Sequence, residues 1–365
     1  MKIFFDHQAF SLQNYGGISR YFCELINGIN SSDINNAHLS LLWSNNAHVK
    51  EYGLSGLTYP LPGKHRLLST SNKLFNIVDA RLNNYDIYHA TYFDDFLGNL
   101  NTKKPLVTTF YDMTYERLAH KFSDLSQDKS ISENKRKIAK SSAHLIAISE
   151  STKNDMVELL GVAPEKISVI YLGSSFVNEA NTSEKESFKS DKPYLLYVGN
   201  RNGYKNFETF IRASSGILIK YDVKLICAGG GVFSLEEQDL FKSLFVSDLV
   251  EYSPVNDKIL PKLYKSAISF VFPSLYEGFG IPVLEAFSCD CPCVVSNTSS
   301  LPEVAGEAAF YIDPLSEDSI AHGIERVITE PSLRAELVKK GKDRLKQFSW
   351  DNTVRQTVEL YQKLV

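Results

Sequence analysis

The stretch Phe272-Pro273-Ser274-Leu275-Tyr276-Glu277-Gly278-Phe279-Gly280-Ile281-Pro282-Val283-Leu284-Glu285 places two carboxylates around a pair of glycines. An apolar, β-prone run from Ala267 to Phe272 comes just before it, so the segment is predicted to leave a strand. Pro282 suits the first turn of a helix, and the glycines let the backbone approach a ligand closely. Because free N–H groups at a helix start attract anions, the pattern predicts a site for a negatively charged ligand.

The composition of the chain is that of an ordinary soluble globular protein. Its 365 residues exceed the usual size of one hydrophobic core, which predicts two domains. With 43% hydrophobic residues, 22% charged residues and a net charge of -4, nothing indicates nucleic-acid binding. Residues 1–175 hold 18 Lys and Arg against 17 Asp and Glu, a small excess that leaves open a peripheral contact with an anionic membrane surface.

No targeting segment is expected at the start of the chain. Residues 1–6 predict a short buried strand, and no apolar run is long enough to cross a bilayer. Five cysteines, three of them alternating at Cys289, Cys291 and Cys293, are most simply explained as reduced thiols. Without a Cys-x2-Cys pair or a nearby His they predict no metal site. We therefore expect a cytoplasmic protein.

Strand-like runs alternate with helical patterns along the whole chain. This alternation predicts the α/β class, with parallel sheets and crossover helices. The polar, aperiodic segment 177–192 is the predicted interdomain linker, between domains at 1–176 and 193–349. The predicted strands are Lys2–Asp6, Leu39–Trp43, Ile87–Ala90, Leu106–Tyr111, Leu145–Ser149, Ile167–Tyr171, Tyr194–Val198, Val223–Cys227, Leu249–Tyr252, Ile268–Phe272, Cys293–Ser296 and Ala309–Ile312.

The segment from Glu277 to Glu285 closely resembles the Glu-x7-Glu signature of the retaining glycosyltransferases of the family-4 type, in the subgroup that builds bacterial polysaccharides. This resemblance implies the GT-B fold, in which two Rossmann-like domains with parallel sheets face a central cleft. It assigns the first domain to the acceptor and the second to the nucleotide sugar. It also implies that Glu277 faces the donor sugar and that Glu285 holds the ribose, while the amides of Gly278, Phe279 and Gly280 bind sugar hydroxyls or phosphate.

Two cations follow the first predicted strand of the second domain, at Arg201 and Lys205. Ligands bind at the carboxyl ends of such strands, and in the family an Arg and a Lys at these points grip the donor diphosphate. They would stabilise the negative charge that grows on the leaving group. Because no two Asp residues stand two positions apart, the metal-binding Asp-x-Asp motif is absent. We expect neither a divalent metal nor another cofactor.

The first domain contributes three further candidate features. Gly16 and Gly17 precede a helix predicted to begin near Ile18, and they resemble the family's glycine loop, which offers amides to the diphosphate or the acceptor. His89, at a strand end, either contacts the acceptor or sugar or is a packed histidine with a satisfied ring.

The next strand end carries Tyr111 and Asp112, where the family often has His-Asp. Tyr111 can donate a hydrogen bond to a sugar hydroxyl but is not assigned as a base. Asp112 either orients the acceptor hydroxyl or caps its own loop. Further along the chain, Ser300, with Glu303 three residues later, predicts a capping box at a helix start.

The last segment, 350–365, resembles the family's crossover helix, which returns to the first domain with Trp350 as its anchor. A terminal helix that caps its own domain is the other interpretation. The resemblance extends from Gly16 to Trp350.

The function predicted from these features is transfer of a hexose or deoxyhexose, with retention, from a GDP- or UDP-linked donor. The acceptor would be a saccharide or lipid-linked saccharide in O-antigen or capsule synthesis, reached at most by peripheral contact with the inner membrane surface. A GT-B epimerase or phosphorylase, or a sugar-binding protein without catalysis, are the alternatives.

Overall fold

A computed structural model describes residues 1–54, 65–94, 96, 103–122, 125, 129–174, 188–256 and 258–365. The described residues form two compact units, one made of Met1–Gly173 with Trp350–Val365 and the other of Ser174–Ser349. Each unit contains one six-stranded sheet in which every neighbouring pair is parallel. Parallel strands need crossover connections and are covered on both faces, which explains their apolar sequences. The predicted α/β class is confirmed.

The first unit has the strand order β2-β1-β3-β4-β5-β6. Its strands are β1 (Lys2–Phe5), β2 (Asn36–Leu39), β3 (Ile87–Ala90), β4 (Leu106–Phe110), β5 (His144–Ala147) and β6 (Ile167–Val169). Its helices are α1 (Gln8–Leu12), α2 (Gly17–Asn30), α3 (Ala47–Glu51), α4 (His65–Leu82), α5 (Thr114–Leu118), α6 (Lys129–Ser141) and α7 (Glu150–Leu160), joined by the C-terminal helix α15 (Trp350–Gln362).

The second unit has the strand order β12-β11-β10-β7-β8-β9. Its strands are β7 (Tyr194–Val198), β8 (Lys224–Ala228), β9 (Val250–Ser253), β10 (Ser269–Phe272), β11 (Cys293–Ser296) and β12 (Ala309–Ile312). Its helices are α8 (Phe207–Tyr221), α9 (Leu235–Ser243), α10 (Leu260–Ser266), α11 (Ile281–Ser288), α12 (Leu301–Ala305), α13 (Glu317–Thr329) and α14 (Pro331–Leu345).

The second strand of the first unit differs from its prediction. The apolar run 39–43 predicted a strand there, whereas β2 ends at Leu39. The amides of Leu42 and Trp43 donate instead to Oδ1 of Asn72, at 3.1 Å and 2.9 Å, so the side chain of α4 replaces the neighbouring strand as acceptor. Asn72 is fully buried, and its position 30 residues away explains why local periodicity did not predict this.

The C-terminal helix packs within the first unit, against α2. A Cβ added to Gly28 of α2 would lie 2.5 Å from Cγ2 of Val354, so the glycine permits a close approach of the two helices. Thr353 Oγ1 donates to the carbonyl of Tyr171 at 2.7 Å. Of the predicted linker, residues 177–187 lie outside the described residues, and its boundaries stay predictions.

Candidate functional site

The loop between β10 and α11 carries the first part of the signature segment, and Gly280 is the last residue of this loop. This residue has a φ of 106°, which L side chains rarely adopt, and an added Cβ would lie 2.7 Å from Leu301 Cδ2. Both constraints require glycine at the start of α11. The short turn therefore places Glu277 before the helix and Glu285 within it.

Two serines after β11 fasten this loop. Ser299 Oγ accepts from the amide of Glu277 at 2.9 Å. Ser300 Oγ is 2.9 Å from the carbonyls of both Glu277 and Phe279. Ser300 therefore does not form the predicted capping box with Glu303, because its hydroxyl is used by the neighbouring loop. The consequence is a rigid backbone on both sides of Gly278.

Glu277 lies beside Lys205, and the two form an ion pair. Lys205 Nζ donates to Glu277 Oε1 at 2.7 Å, with 20% of the lysine side chain and 12% of the glutamate side chain exposed. Lys205 follows β7 and Glu277 follows β10, which are neighbouring strands of the sheet. The amide of Leu275 donates to the carbonyl of Tyr204 at 2.8 Å and joins the two loops. The structure thus brings together two of the predicted site residues at the carboxyl edge of one sheet, where ligands of α/β proteins bind.

Arg201 has its guanidinium group bound within the unit. Its Nε donates to Glu237 Oε1 at 2.5 Å, while Nη1 donates to the Gly229 carbonyl at 3.0 Å and Nη2 to the Gly231 carbonyl at 2.9 Å. The guanidinium also lies 4.8 Å from the ring centre of Phe233, and only 3% of the side chain is exposed. These contacts fit a residue that holds a loop, and the predicted grip on the diphosphate stays a prediction.

The loop that Arg201 holds was missed by the sequence interpretation. Gly229, Gly230 and Gly231 follow β8 with φ values of 80°, 71° and 79°, all in the left-handed region that favours glycine. A Cβ on Gly230 would lie 2.7 Å from the Gly199 carbonyl, so this loop runs close to the end of β7. Three consecutive glycines after a strand were the available signal, since such a run marks a close backbone approach.

Glu285 and Phe279 are largely buried in the second unit. Glu285 is 9% exposed, and its Oε2 accepts from the hydroxyl of Tyr264 at 3.2 Å. Burial, together with the charge of Glu285, raises the pKa of Tyr264 well above its usual value, so the tyrosine stays a donor. Phe279 is 3% exposed and packs against Phe348, with ring centres 5.8 Å apart. Its side chain therefore belongs to the core, and only its backbone could meet a ligand.

His89 is enclosed in the first unit. Its Nδ1 hydrogen-bonds with the Tyr361 hydroxyl, and its Nε2 with Thr109 Oγ1 at 2.9 Å. The residue is fully buried, and burial lowers its pKa to about 3, so the ring is neutral. Both ring nitrogens are thus used inside the unit. These contacts match the alternative of a packed histidine with a satisfied ring, and the predicted catalytic contact with a sugar stays a prediction. The partner of Nδ1 is a residue of α15 that local sequence could not identify.

At the end of β4, Tyr111 and Asp112 differ in what they expose. The Tyr111 hydroxyl donates to the Thr91 carbonyl at 3.0 Å and the ring is buried, and its predicted hydrogen bond to a sugar hydroxyl stays a prediction. Asp112 keeps 37% of its side chain exposed, although Oδ1 accepts from the amide of Thr114 at 2.9 Å. Asp112 therefore caps its own loop, as one of the two alternatives predicted, and its role toward the acceptor hydroxyl stays a prediction.

Gly16 and Gly17 lie at the start of α2. Gly17 is the first helical residue, one position before the predicted start. A Cβ on Gly16 would lie 2.3 Å from Gln13 Oε1, and its carbonyl accepts from Ser19 Oγ at 2.9 Å. A side chain at this position would displace only the end of the Gln13 side chain, and the predicted contact of Gly16 with a diphosphate or acceptor stays a prediction.

Asp6 is a second residue that sequence reasoning left without a role. It directly follows β1, is fully buried, and accepts from the amides of Gln8 and Thr91, each at 3.1 Å. It therefore ties the loops that follow β1 and β3. Burial raises its pKa to about 6, although these hydrogen bonds lower it.

Neither a metal cluster nor a membrane span occurs in the part of the chain that the structure describes. No group of three or more His, Cys, Asp or Glu side chains in those ranges could hold a metal ion. Within the same ranges, no helix is long and apolar enough to cross a bilayer.

Two family models match the chain. The model for glycosyltransferase family 4 matches residues 15–174, and the model for glycosyl transferases group 1 matches residues 178–344. An uncharacterized glycosyltransferase of Methanocaldococcus jannaschii, MJ1607, is 32% identical over 294 residues, which cover 76% of this chain and 75% of the relative. The O-antigen chain mannosyltransferase B of Escherichia coli is 35% identical over 181 residues, covering 47% of this chain and 46% of the relative.

A solved structure supports the same fold over the whole chain. Anabaena Alr3699/HepE, in complex with UDP and glucose, has a TM-score of 0.76 over 100% of this chain and 99% of that chain, at 17% identity. The chain belongs to the family-4 glycosyltransferases, and its fold is GT-B.

Proposed function

We propose that the chain moves a hexose or deoxyhexose, with retention, from a GDP- or UDP-linked donor to a saccharide or lipid-linked saccharide of a surface polysaccharide. The observation that carries this proposal is the pair formed by Lys205 and Glu277, with Glu285 eight residues further on. The three charges lie at or just after the carboxyl edge of one parallel sheet, the usual place for a nucleotide. Peripheral contact with the inner membrane surface is part of the proposal.

In this mechanism the lysine and the glutamate have separate roles. Lys205 meets the diphosphate and stabilises the negative charge that develops as the bond to the sugar breaks. Glu277 orients the donor sugar, and Glu285 accepts from the ribose hydroxyls. The departing phosphate helps to take the proton of the acceptor hydroxyl, so no protein nucleophile is used. Positioning and charge placement supply most of the rate enhancement.

The relatives favour mannose as the transferred sugar. The related protein from Escherichia coli is named an O-antigen chain mannosyltransferase, and the structural relative from Anabaena was solved with UDP and glucose. GDP-mannose and UDP-glucose are therefore the first two donors to test. We expect no divalent metal to be required.

The first experiment measures thermal stabilisation by GDP, UDP, dTDP and ADP in excess chelator, because a ligand that binds the native state raises its stability by mass action. The second measures release of nucleoside diphosphate with and without octyl α-D-mannopyranoside. Release that depends on the acceptor supports transfer, whereas turnover of the donor without acceptor supports an epimerase. Stabilisation without any turnover supports a sugar-binding protein. Complete loss of transfer in chelator, restored by magnesium, would refute metal independence.

A further inference from the structure

A buried lysine lies under the loop that follows β4. Lys135, on α6, has 3% of its side chain exposed, and its Nζ donates to the Asp112 carbonyl at 2.9 Å and to Glu116 Oε2 at 3.0 Å. The same nitrogen is 3.6 Å from Asp112 Oδ1. It also lies 5.5 Å from the ring centre of Phe93 and 5.8 Å from that of Tyr115. One cation thus connects α6 with both the backbone and the carboxylate of Asp112.

This arrangement is poorly suited to stability alone. Glu116 has 4% of its side chain exposed, and its Oε1 is buried without a hydrogen-bond partner among the described residues. Taking a lysine and a glutamate out of water carries a large desolvation cost, and apolar residues of similar volume are often as stable or more so. An unpartnered buried oxygen adds a further desolvation cost. The cluster of Lys135, Glu116 and Asp112 is therefore not explained by packing alone.

The position of the cluster supplies a reason other than packing. Among the three acceptor-side candidates of the first unit, His89 and Tyr111 have their polar atoms bonded inside the unit, whereas Asp112 keeps an exposed carboxylate. Oδ1 of Asp112 is oriented by the Thr114 amide, and Oδ2 has no partner in the described ranges. A carboxylate oxygen held in this way accepts a hydrogen bond from a hydroxyl group at little further entropic cost.

We propose that Lys135 is a positioning residue that fixes Asp112, so that Oδ2 accepts a hydrogen bond from a hydroxyl group of the acceptor saccharide. Glu116 fixes Lys135 in turn. The anchor on the Asp112 carbonyl sets the backbone, and the lysine charge at 3.6 Å from Oδ1 helps to hold the carboxylate in its orientation. This inference rests on the proposed function, because it identifies the acceptor subsite of that transfer.

The test compares Lys135→Met and Lys135→Arg with a matched control. Lys224 has 9% of its side chain exposed and is paired with Asp191 and Glu251. It begins β8, so it lies at the opposite edge of its sheet from the strand ends that carry the candidate site. Lys224→Met therefore removes another largely enclosed, paired lysine without touching the proposed subsite.

The kinetic readout uses GDP-mannose as donor and octyl α-D-mannopyranoside as acceptor. Since a displacement of about 1 Å can cost up to about a hundredfold in rate, we expect Lys135→Met to raise the acceptor KM about tenfold. The donor KM and stabilisation by GDP should stay within about twofold, because neither depends on Asp112. Lys135→Arg should recover part of the loss, since it retains the charge and the donors. Equal loss in both KM values, or an effect of Lys224→Met of the same size, overturns the proposal.

A double variant tests whether Lys135 acts through Asp112. If it does, Lys135→Met combined with Asp112→Asn is no worse in acceptor KM than Asp112→Asn alone, because residues that act as a unit are not additive. Additive losses overturn the inference.

Hydrogen exchange gives a readout that does not need the right acceptor. Amides of residues 111–118 should exchange about tenfold faster in Lys135→Met and not in Lys224→Met. Unchanged exchange there overturns the positioning role even if the wild-type chain transfers nothing to octyl mannoside. Absence of transfer to octyl mannoside by the wild-type chain, with the expected change in exchange, contradicts only the proposed function.

Discussion

Replacing Glu277 by Gln should have opposite effects on nucleotide binding and on transfer. The substitution keeps the size of the side chain and removes its charge. In the structure that charge is paired with Lys205 at 2.7 Å, and a diphosphate that meets Lys205 must approach the same carboxylate. We therefore expect tighter binding of the free nucleoside diphosphate and loss of turnover. A residue that only stabilised the loop would give weaker binding together with weaker turnover.

The size of the effect follows from the exposure of the pair. Two unit charges 2.7 Å apart attract by about 6 kcal/mol at an effective dielectric constant of 20. Because 20% and 12% of the two side chains remain exposed, solvent screening and side-chain entropy reduce the net contribution to about 0.5–1 kcal/mol. The variant should thus bind diphosphate about two- to fivefold more tightly. Its second unit should melt about 1–4 °C lower.

Titration calorimetry with GDP and UDP gives the affinity, and initial rates of transfer give the turnover. We expect kcat to fall about a hundredfold or more, the usual cost of removing a group that acts on the reacting sugar. Glu208→Gln is the matched control, since it removes a carboxylate paired with Arg212 at 2.7 Å on the exposed face of α8. That variant should change neither quantity. Undiminished transfer in Glu277→Gln, or loss of diphosphate binding, would refute the assigned roles.

Three further outcomes follow from the described contacts. Gly280→Ala should destabilise the second unit by about 2–5 kcal/mol in denaturant titrations, because both φ and the contact with Leu301 oppose a Cβ. Gly161→Ala is the control: its φ is also positive, but no atom lies within 4 Å of the added Cβ, so it should cost about 1 kcal/mol. Burial holds the pKa of His89 at about 3, below its value in the unfolded chain. Its contribution to the free energy of unfolding is therefore present above pH 6.5 and decreases below that pH by about 1.4 kcal/mol per pH unit. His89→Gln should remove this pH dependence from the stability of the first unit between pH 6 and 4. Tyr264→Phe should weaken nucleotide affinity only a few fold, through the orientation of Glu285, and calorimetry would show a much larger loss if the hydroxyl met the ligand directly.

Regular structure could be predicted wherever the signal was local. The predicted strands Ile87–Ala90, Tyr194–Val198, Cys293–Ser296 and Ala309–Ile312 are confirmed with the same limits, because each is a short apolar run bounded by polar or turn residues. The run at 39–43 was misleading, since apolar residues can also cover a helix, and Asn72 supplies the acceptors that a strand would otherwise need.

Within the site, the outcome depended on how far away each partner lies in sequence. Lys205 and Glu277 could be brought together from the sequence because each follows a strand end and the family pattern relates them. The sequence could not predict that the guanidinium of Arg201 is hydrogen-bonded inside the unit. Its acceptors lie in residues 229–237, and their placement depends on a loop conformation that three glycines allow. The enclosure of His89 depends on Tyr361, which is 272 positions away.

The separation of 272 positions between His89 and Tyr361 affects the order in which the chain can fold. The second unit is one continuous segment, Ser174–Ser349, whereas the first needs both its early residues and Trp350–Val365. During synthesis the segment 1–173 leaves the ribosome first, yet the helix that covers Gly28 and completes the bond to His89 is made last. Closing so long a loop is entropically costly until the intervening residues have folded. The part of the protein that begins first therefore finishes last. A nascent chain stopped before residue 350 would contain all residues of the second unit, together with a first unit whose apolar face is uncovered.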